Sequence, residues 1–242
     1  MTALNFAITD EGIFLATDTL VSRDGRPLMF TAKVLALPHL HGLITGTGSM
    51  VLFQRWSLTV LSEILAIHMQ LLDIDTPKRL RKIWAEMSDE ERGDGPAYIY
   101  HLCYDPDIDH FGGFVYRSSN DFESEPLGHG IYPEPALDIE PASHREFLIE
   151  DFPGDLVRAC RRLRFAQDRS DFDKRQHIGG QVIAYMMQRN EAEGQSMSTL
   201  TTAHTAYEFE DFGSTYVECD DRTFDDWWVE GGEPKTSTLE RQ

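Results

Sequence analysis

Cysteine is scarce in this chain. Cys103, Cys160 and Cys219 are the only three among 242 residues, odd in number and far apart. That excludes a disulfide framework and a four-ligand zinc site, and a reducing compartment is the expectation. Positive charge is scarce as well. Lys and Arg number 22 against 41 Asp and Glu, a net charge of −19. Binding a phosphate backbone needs a basic excess to release counterions, so nucleic acid is excluded as a partner. No basic region precedes Asp10 and Glu11, so the start does not read as a secretory signal. The longest apolar stretch, GSMVLFQRWSLTVLSEILAIHMQLL, is interrupted by Gln54, Arg55, Glu63, His68 and Gln70. It reads as a buried amphipathic helix, not a membrane span, and a cytoplasmic protein is expected. A glycine-rich phosphate loop, repeats and low-complexity segments are all missing, so ATP-driven chemistry within the chain is not expected.

What is present is globular. The hydrophobic fraction is 41% and the charged fraction 26%, enough for one well-buried domain. Leu4, Phe6 and Ile8 alternate with Asn5, Ala7 and Thr9, which predicts a strand. Asp10-Glu11-Gly12 predicts a hairpin turn. IFLAT at 13–17 is apolar on both faces and predicts a central strand covered on both sides. A polar loop, SRDGRP at 22–27, leads to strands at 32–37 and 43–46. A helix over about 48–70 follows, then a second whose N-cap and first turn are Thr76-Pro77. Strands are predicted at 97–104, 111–117 and 123–130, helices at 153–167 and 172–189, and strands again within 198–211. From 205 to the end there are eleven acidic and three basic residues, and the last dozen read as a disordered tail. Residues 2–212 thus form one domain and 213–242 an acidic extension. Two helical pairs flanking two stacked sheets predict an α+β fold, a four-layer α/β/β/α sandwich.

That layering makes Thr2 informative. The first fifty residues resemble a proteasome β-type subunit, a family of N-terminal nucleophile hydrolases that includes bacterial ring-forming threonine peptidases. Thr2 opens a strand–turn–strand unit that closes in ATD at 16–18, similar to the family's Ala-x-Asp at the family's spacing. Lys33 in AKV stands where the family has its active-site lysine. Gly46 in LITGTGS matches the glycine before the first helix, and GHG at 128–130 resembles the family's Gly-Ser-Gly. The clear similarity covers about residues 2–70.

The resemblance implies a mechanism. Methionine aminopeptidase removes Met1 when residue 2 is small, which leaves Thr2 with a free α-amine. Thr2 Oγ is then the nucleophile and the amine its base, with a reference pKa of about 7.7–8.0. Lys33 depresses the amine and hydroxyl pKa values, Asp18 pairs with Lys33, and the Gly46 N–H stabilises the oxyanion. His129 occupies the place of the family's serine; it is either a proton carrier beside the amine or a loop residue. The family's second carboxylate has no clean match: IGGQVIAYMM at 178–187 resembles the helix that follows it, Arg175 stands in its place, and Asp173 lies two residues off. Val21, Thr31, Ile44 and Gly48 match the positions around the side chain on the acyl side of the cut. They form an apolar wall that implies a preference for hydrophobic residues there.

The implied activity is peptide-bond hydrolysis by a homo-oligomer, a ring or related assembly, with a separate unfoldase as a possible partner and no cofactor. The alternatives are a non-catalytic structural or regulatory subunit, or a transamidating ligase of the same fold. His39 and His41 form an H-x-H without a third ligand, so no metal is expected. Trp227-Trp228, amid acidic residues, reads as a clamp of the C-terminal extension onto its own domain or as a docking peptide.

Overall fold

A computed structural model describes residues 3–23, 26–64, 66–134, 151–170, 177–190 and 198–223. Six strands precede the first helix: β1 (Leu4–Ile8), β2 (Gly12–Asp18), β3 (Leu20–Arg23), β4 (Arg26–Phe30), β5 (Val34–Leu37) and β6 (Gly42–Thr47). Residues 22–23 and 26–27 of the expected polar loop are therefore strand, in a pair where Leu20 lies opposite Phe30, and 24–25 lie outside the described residues. Helices α1 (Met50–Glu63), α2 (Met69–Glu86) and α3 (Asp89–Arg92) follow. Next come β7 (Tyr98–Asp105), β8 (His110–Arg117), β9 (Ser124–Leu127), β10 (Gly130–Glu134) and α4 (Gly154–Asp168). Strands β11 (Gln181–Asn190) and β12 (Ser198–Glu208) and helix α5 (Phe212–Thr223) close the described chain.

The strands form two five-stranded antiparallel sheets, ordered β10-β1-β2-β11-β12 and β5-β6-β7-β8-β9, beside the β3–β4 hairpin. Every residue of β1 and β2 is buried, as the two-faced apolar pattern of 13–17 predicts. Leu4, Phe6, Ile8, Ile13 and Leu15 face Leu43, Leu102 and Val115 of the second sheet. Phe14 and Ala16, on the other face, meet Leu156, Cys160 and Leu163 of α4. The outer face of the second sheet, with Ile44, Ile99 and Tyr116, is covered by Leu52 and Trp56 of α1 and Leu72 and Leu80 of α2. These contacts make up three buried apolar clusters of an α+β fold.

Several boundaries differ from the sequence reading. One helix over 48–70 is in fact two, α1 ending at Glu63 and α2 beginning at Met69. Thr76-Pro77 lies inside α2, not at its start. A proline within a helix removes one N–H and costs about 3 kcal/mol. Burial of Met69 and Leu72 before it and Leu80 and Ile83 after it outweighs that cost. Thr76 is itself buried, its hydroxyl bonded to the Leu72 carbonyl. The single strand expected at 123–130 is split between the sheets: β9 pairs with β8, and β10 crosses over to β1.

The helix expected over 172–189 is overturned from residue 181 onward. VIAYMM there is the middle of β11, paired with β2 on one side and β12 on the other. Val182 and Ile183 suit a pleated surface, and alternate side chains go to different cores: Val182 toward α4, Tyr185 and Met187 between the sheets. Residues 213–223, assigned to the extension, are part of α5, which packs on β4 through Phe30, Phe212 and Tyr216. The expected tail lies outside the described residues. Among those described, no helix is long and apolar enough to cross a membrane.

Candidate active site

Asp18 is the last residue of β2, and Lys33 immediately precedes β5. Both are buried, at 0% and 1% exposure. Lys33 Nζ donates to Asp18 Oδ1 at 2.8 Å and to the Leu20 carbonyl at 2.6 Å. Asp18 Oδ1 also accepts the Ala3 N–H at 2.9 Å, and Oδ2 accepts the Gly179 N–H at 3.1 Å. A carboxylate this deeply buried is tolerable only with such a full set of donors. Thr45 Oγ1 donates to the Lys33 carbonyl at 2.8 Å and fixes the lysine backbone against β6. Burial holds the Lys33 ammonium below the usual lysine range, and the charge and hydrogen bond of Asp18 oppose that shift.

Lys33 opens onto a cleft of about 350 Å³. Gly46 sits in β6 next to Thr45. A β-carbon there would lie 2.8 Å from the Tyr98 carbonyl, so the position admits only glycine without movement. The β5–β6 pairing ends at Val34 opposite Thr45, so among the described residues Gly46 has no strand partner on that edge.

Of the sequence-derived residues, Asp18 and Lys33 come together, Gly46 adjoins them through Thr45, and Val21 and Gly48 line the cleft. Met1, Thr2, Asp173 and Arg175 lie outside the described residues. Ile44 does not line the cleft. Its side chain points the other way, into the core beneath α1 and α2. Thr31 is not a lining residue either; its N–H is bonded to the Thr19 carbonyl. The cleft is also lined by Asp89, Glu90, Glu91, Arg92 and Asp94 of α3 and the turn after it, charged residues that the sequence reading did not include.

His129 is not at this site. Gly130 lies opposite Ile8 and Glu134 opposite Leu4, so His129 belongs to the far end of β1. Four strand steps at about 3.4 Å separate those ends by roughly 14 Å. Its imidazole stacks on His110 at 4.7 Å, and Nδ1 lies 3.5 Å from Asp10 Oδ1 in the β1–β2 turn. The short Gly-x-Gly match carried no information about strand direction.

Sequence reasoning also missed partners. Gly179 and the Leu20 carbonyl anchor the pair, and Cys160 of α4 packs near it, accepting a hydrogen bond from Asn5 Nδ2 at 3.3 Å. The available signal was Gly179-Gly180 ahead of a β-branched run, a turn-and-strand pattern. His41 Nδ1 lies 3.3 Å from Thr199 Oγ1, and among the described residues no three His, Cys, Asp or Glu gather to hold a metal ion.

No family model matches the chain, and no curated protein matches it. Among solved structures it is similar to Anbu (ancestral beta-subunit) from Yersinia bercovieri, with a TM-score of 0.55 and 10% identity over 91% of this chain and 93% of that one. At that identity the likeness is one of fold alone.

Proposed function

We propose that this chain is a threonine-type N-terminal nucleophile hydrolase, a peptidase acting through Thr2 once Met1 is removed, on the four-layer sandwich of that class. The observation that carries the proposal is the Ala3 N–H bonded to the buried Asp18–Lys33 pair beside an open cleft. Thr2 precedes Ala3 by one peptide unit, about 3.8 Å between α-carbons.

Thr2 Oγ attacks the substrate carbonyl, and the α-amine takes the hydroxyl proton, directly or through a water. Lys33, kept charged by Asp18, stabilises the developing alkoxide. Gly46 N–H is assigned to the oxyanion, a donor whose loss typically lowers the rate by roughly 10²–10³. Collapse expels the leaving amine with the proton, and water then hydrolyses the acyl-enzyme through the same groups. Val21 and Gly48 flank the acyl-side residue. Self-assembly into a ring or related oligomer, and a separate unfoldase, belong to the same proposal.

Intact-protein mass and hydrolysis of fluorogenic peptides test it together. The expected result is a mass lacking methionine, and turnover abolished by Thr2→Ala. Protein that retains Met1 after production with a working aminopeptidase is instead the non-catalytic subunit.

A further inference from the structure

Helix α4 buries Leu156, Cys160 and Leu163. Its outward side carries Arg158, Arg161, Arg162, Phe165 and Arg169, which line a shallow surface groove. With Arg164, five of the chain's 22 basic residues fall within twelve positions of a protein of net charge −19. Their charge is only partly answered. Arg158 is paired with Asp151 and Asp155. Arg161 lies over the Tyr207 ring at 5.1 Å, and Arg169 over the Phe165 ring at 4.0 Å. Arg162 is exposed with no partner among the described residues. Phe165 is 58% exposed, unusual for a phenylalanine on a helix face. Guanidinium groups interleaved with an open aromatic ring match a ligand that carries carboxylates and aromatic rings side by side.

We propose that this face is the docking surface for the chain's own segment 224–230, FDDWWVE. The segment supplies Asp225, Asp226 and Glu230 together with Phe224, Trp227 and Trp228. It lies outside the described residues, but the point from which it departs is known. Arg164 Nη2 is bonded to Asp211 Oδ2 at 2.8 Å, which ties the start of α5 to α4. The twelve residues of α5 rise about 18 Å at 1.5 Å each. Trp227 and Trp228 follow its end by four and five residues, about 14–17 Å of chain at most, so docking requires the end of α5 to lie within that distance of the face. Tethering makes the contact intramolecular, with an effective concentration of order millimolar. A second copy would instead have to approach against the repulsion between two strongly acidic chains. The proposal does not depend on the hydrolase reading.

The test uses the full chain bearing Trp84→Phe, which leaves buried Trp56 as the only other indole. Acrylamide quenching and emission wavelength are compared with and without Arg162→Glu/Arg169→Glu. Docking predicts that charge reversal, or high salt, red-shifts the emission and raises quenching. It also predicts that the same reversal has no effect once Trp227 and Trp228 are phenylalanines. Hydrogen exchange along α4 should quicken in a Trp227→Ala/Trp228→Ala chain. Unaltered quenching and exchange overturn the proposal. A response that appears only on raising the protein concentration also overturns it, in favour of a second copy.

Discussion

Asp18 and Lys33 determine each other's fate. Neither reaches solvent, and Lys33 is the only cation bonded to Asp18 among the described residues. Lys33→Ala therefore removes more than a catalytic charge. It leaves a buried carboxylate held only by the Ala3 and Gly179 N–H groups, and breaking such a pair costs about 3–5 kcal/mol. The expected outcome is loss of peptide turnover with a large drop in urea midpoint. Asp18→Asn/Lys33→Met, which removes both charges, should recover most of that stability and none of the activity. Equal stability of the single and double variants would contradict the pairing. His129 gives the opposite expectation. It lies beside Asp10, at the hairpin turn, so His129→Ser should leave turnover and its pH profile unchanged. An altered acid limb in that variant would return the imidazole to the mechanism. The Asp18–Lys33 pairing was legible only through the resemblance to the proteasome β-type family, which ATD at 16–18 and AKV at 32–34 carry. His129 was misread because a tripeptide match says nothing about which end of a strand it occupies.

At the scale of elements, the turn before β11 is the most constrained. Gly180 has φ +77°, and a β-carbon there would lie 2.4 Å from Thr19 Oγ1 and 2.6 Å from the Phe30 ring. The backbone conformation alone costs a side chain roughly 1–2 kcal/mol, and the clash adds to it. Gly93 provides the control: its φ is +72°, yet nothing lies within 4 Å of an added β-carbon. Gly180→Ala should therefore lower the melting temperature well beyond Gly93→Ala, and it should disturb the Gly179 N–H that reaches Asp18. Equal effects of the two substitutions would mean that the loop simply moves aside. The same turn explains why 172–189 read as a helix. Tyr185, Met186 and Met187 are compatible with either period, and only pairing with β2 and β12 decides for a strand.

At the scale of the whole molecule, acid stability has an identifiable origin. His101 is buried between α1 and the second sheet, accepts the Trp56 Nε1–H at 2.9 Å, and contacts Tyr116 at 3.2 Å. Burial pulls its pKa down to about 3. The folded state keeps it neutral while the unfolded chain takes a proton below about 6.5, so stability falls as pH drops from 6.5 towards 3. Glu134 contributes with the other sign, since burial raises its pKa and its contribution is lost as pH rises. Comparison of the parent chain with His101→Gln isolates the histidine. The variant should show a flatter dependence of unfolding free energy on pH across that window. Parallel curves would mean that His101 is protonated, or exposed, in the folded chain.

Composition and local pattern determined a good deal on their own. Alternation and two-faced apolar runs placed β1, β2, β7 and β8, because burial of one or both sheet faces dictates which side chains a strand can carry. The site to look for came from the resemblance of Thr2, Asp18, Lys33 and Gly46, in their order along those strands, to the proteasome β-type family. The tertiary structure decided what depends on contacts between distant segments. It put Pro77 inside α2, where apolar burial on both sides outweighs a lost hydrogen bond. It made β11 a strand, since one of the two neighbours it pairs with, β2, lies 164–176 residues away in the chain. It carried His129 to the opposite end of β1, turned Ile44 into the helix-side core, and brought four carboxylates to the lining of the cleft that Val21 shares. Hydrophobic periodicity is a local property written in the sequence. Register, strand direction and the far wall of a cleft are properties of pairs of segments.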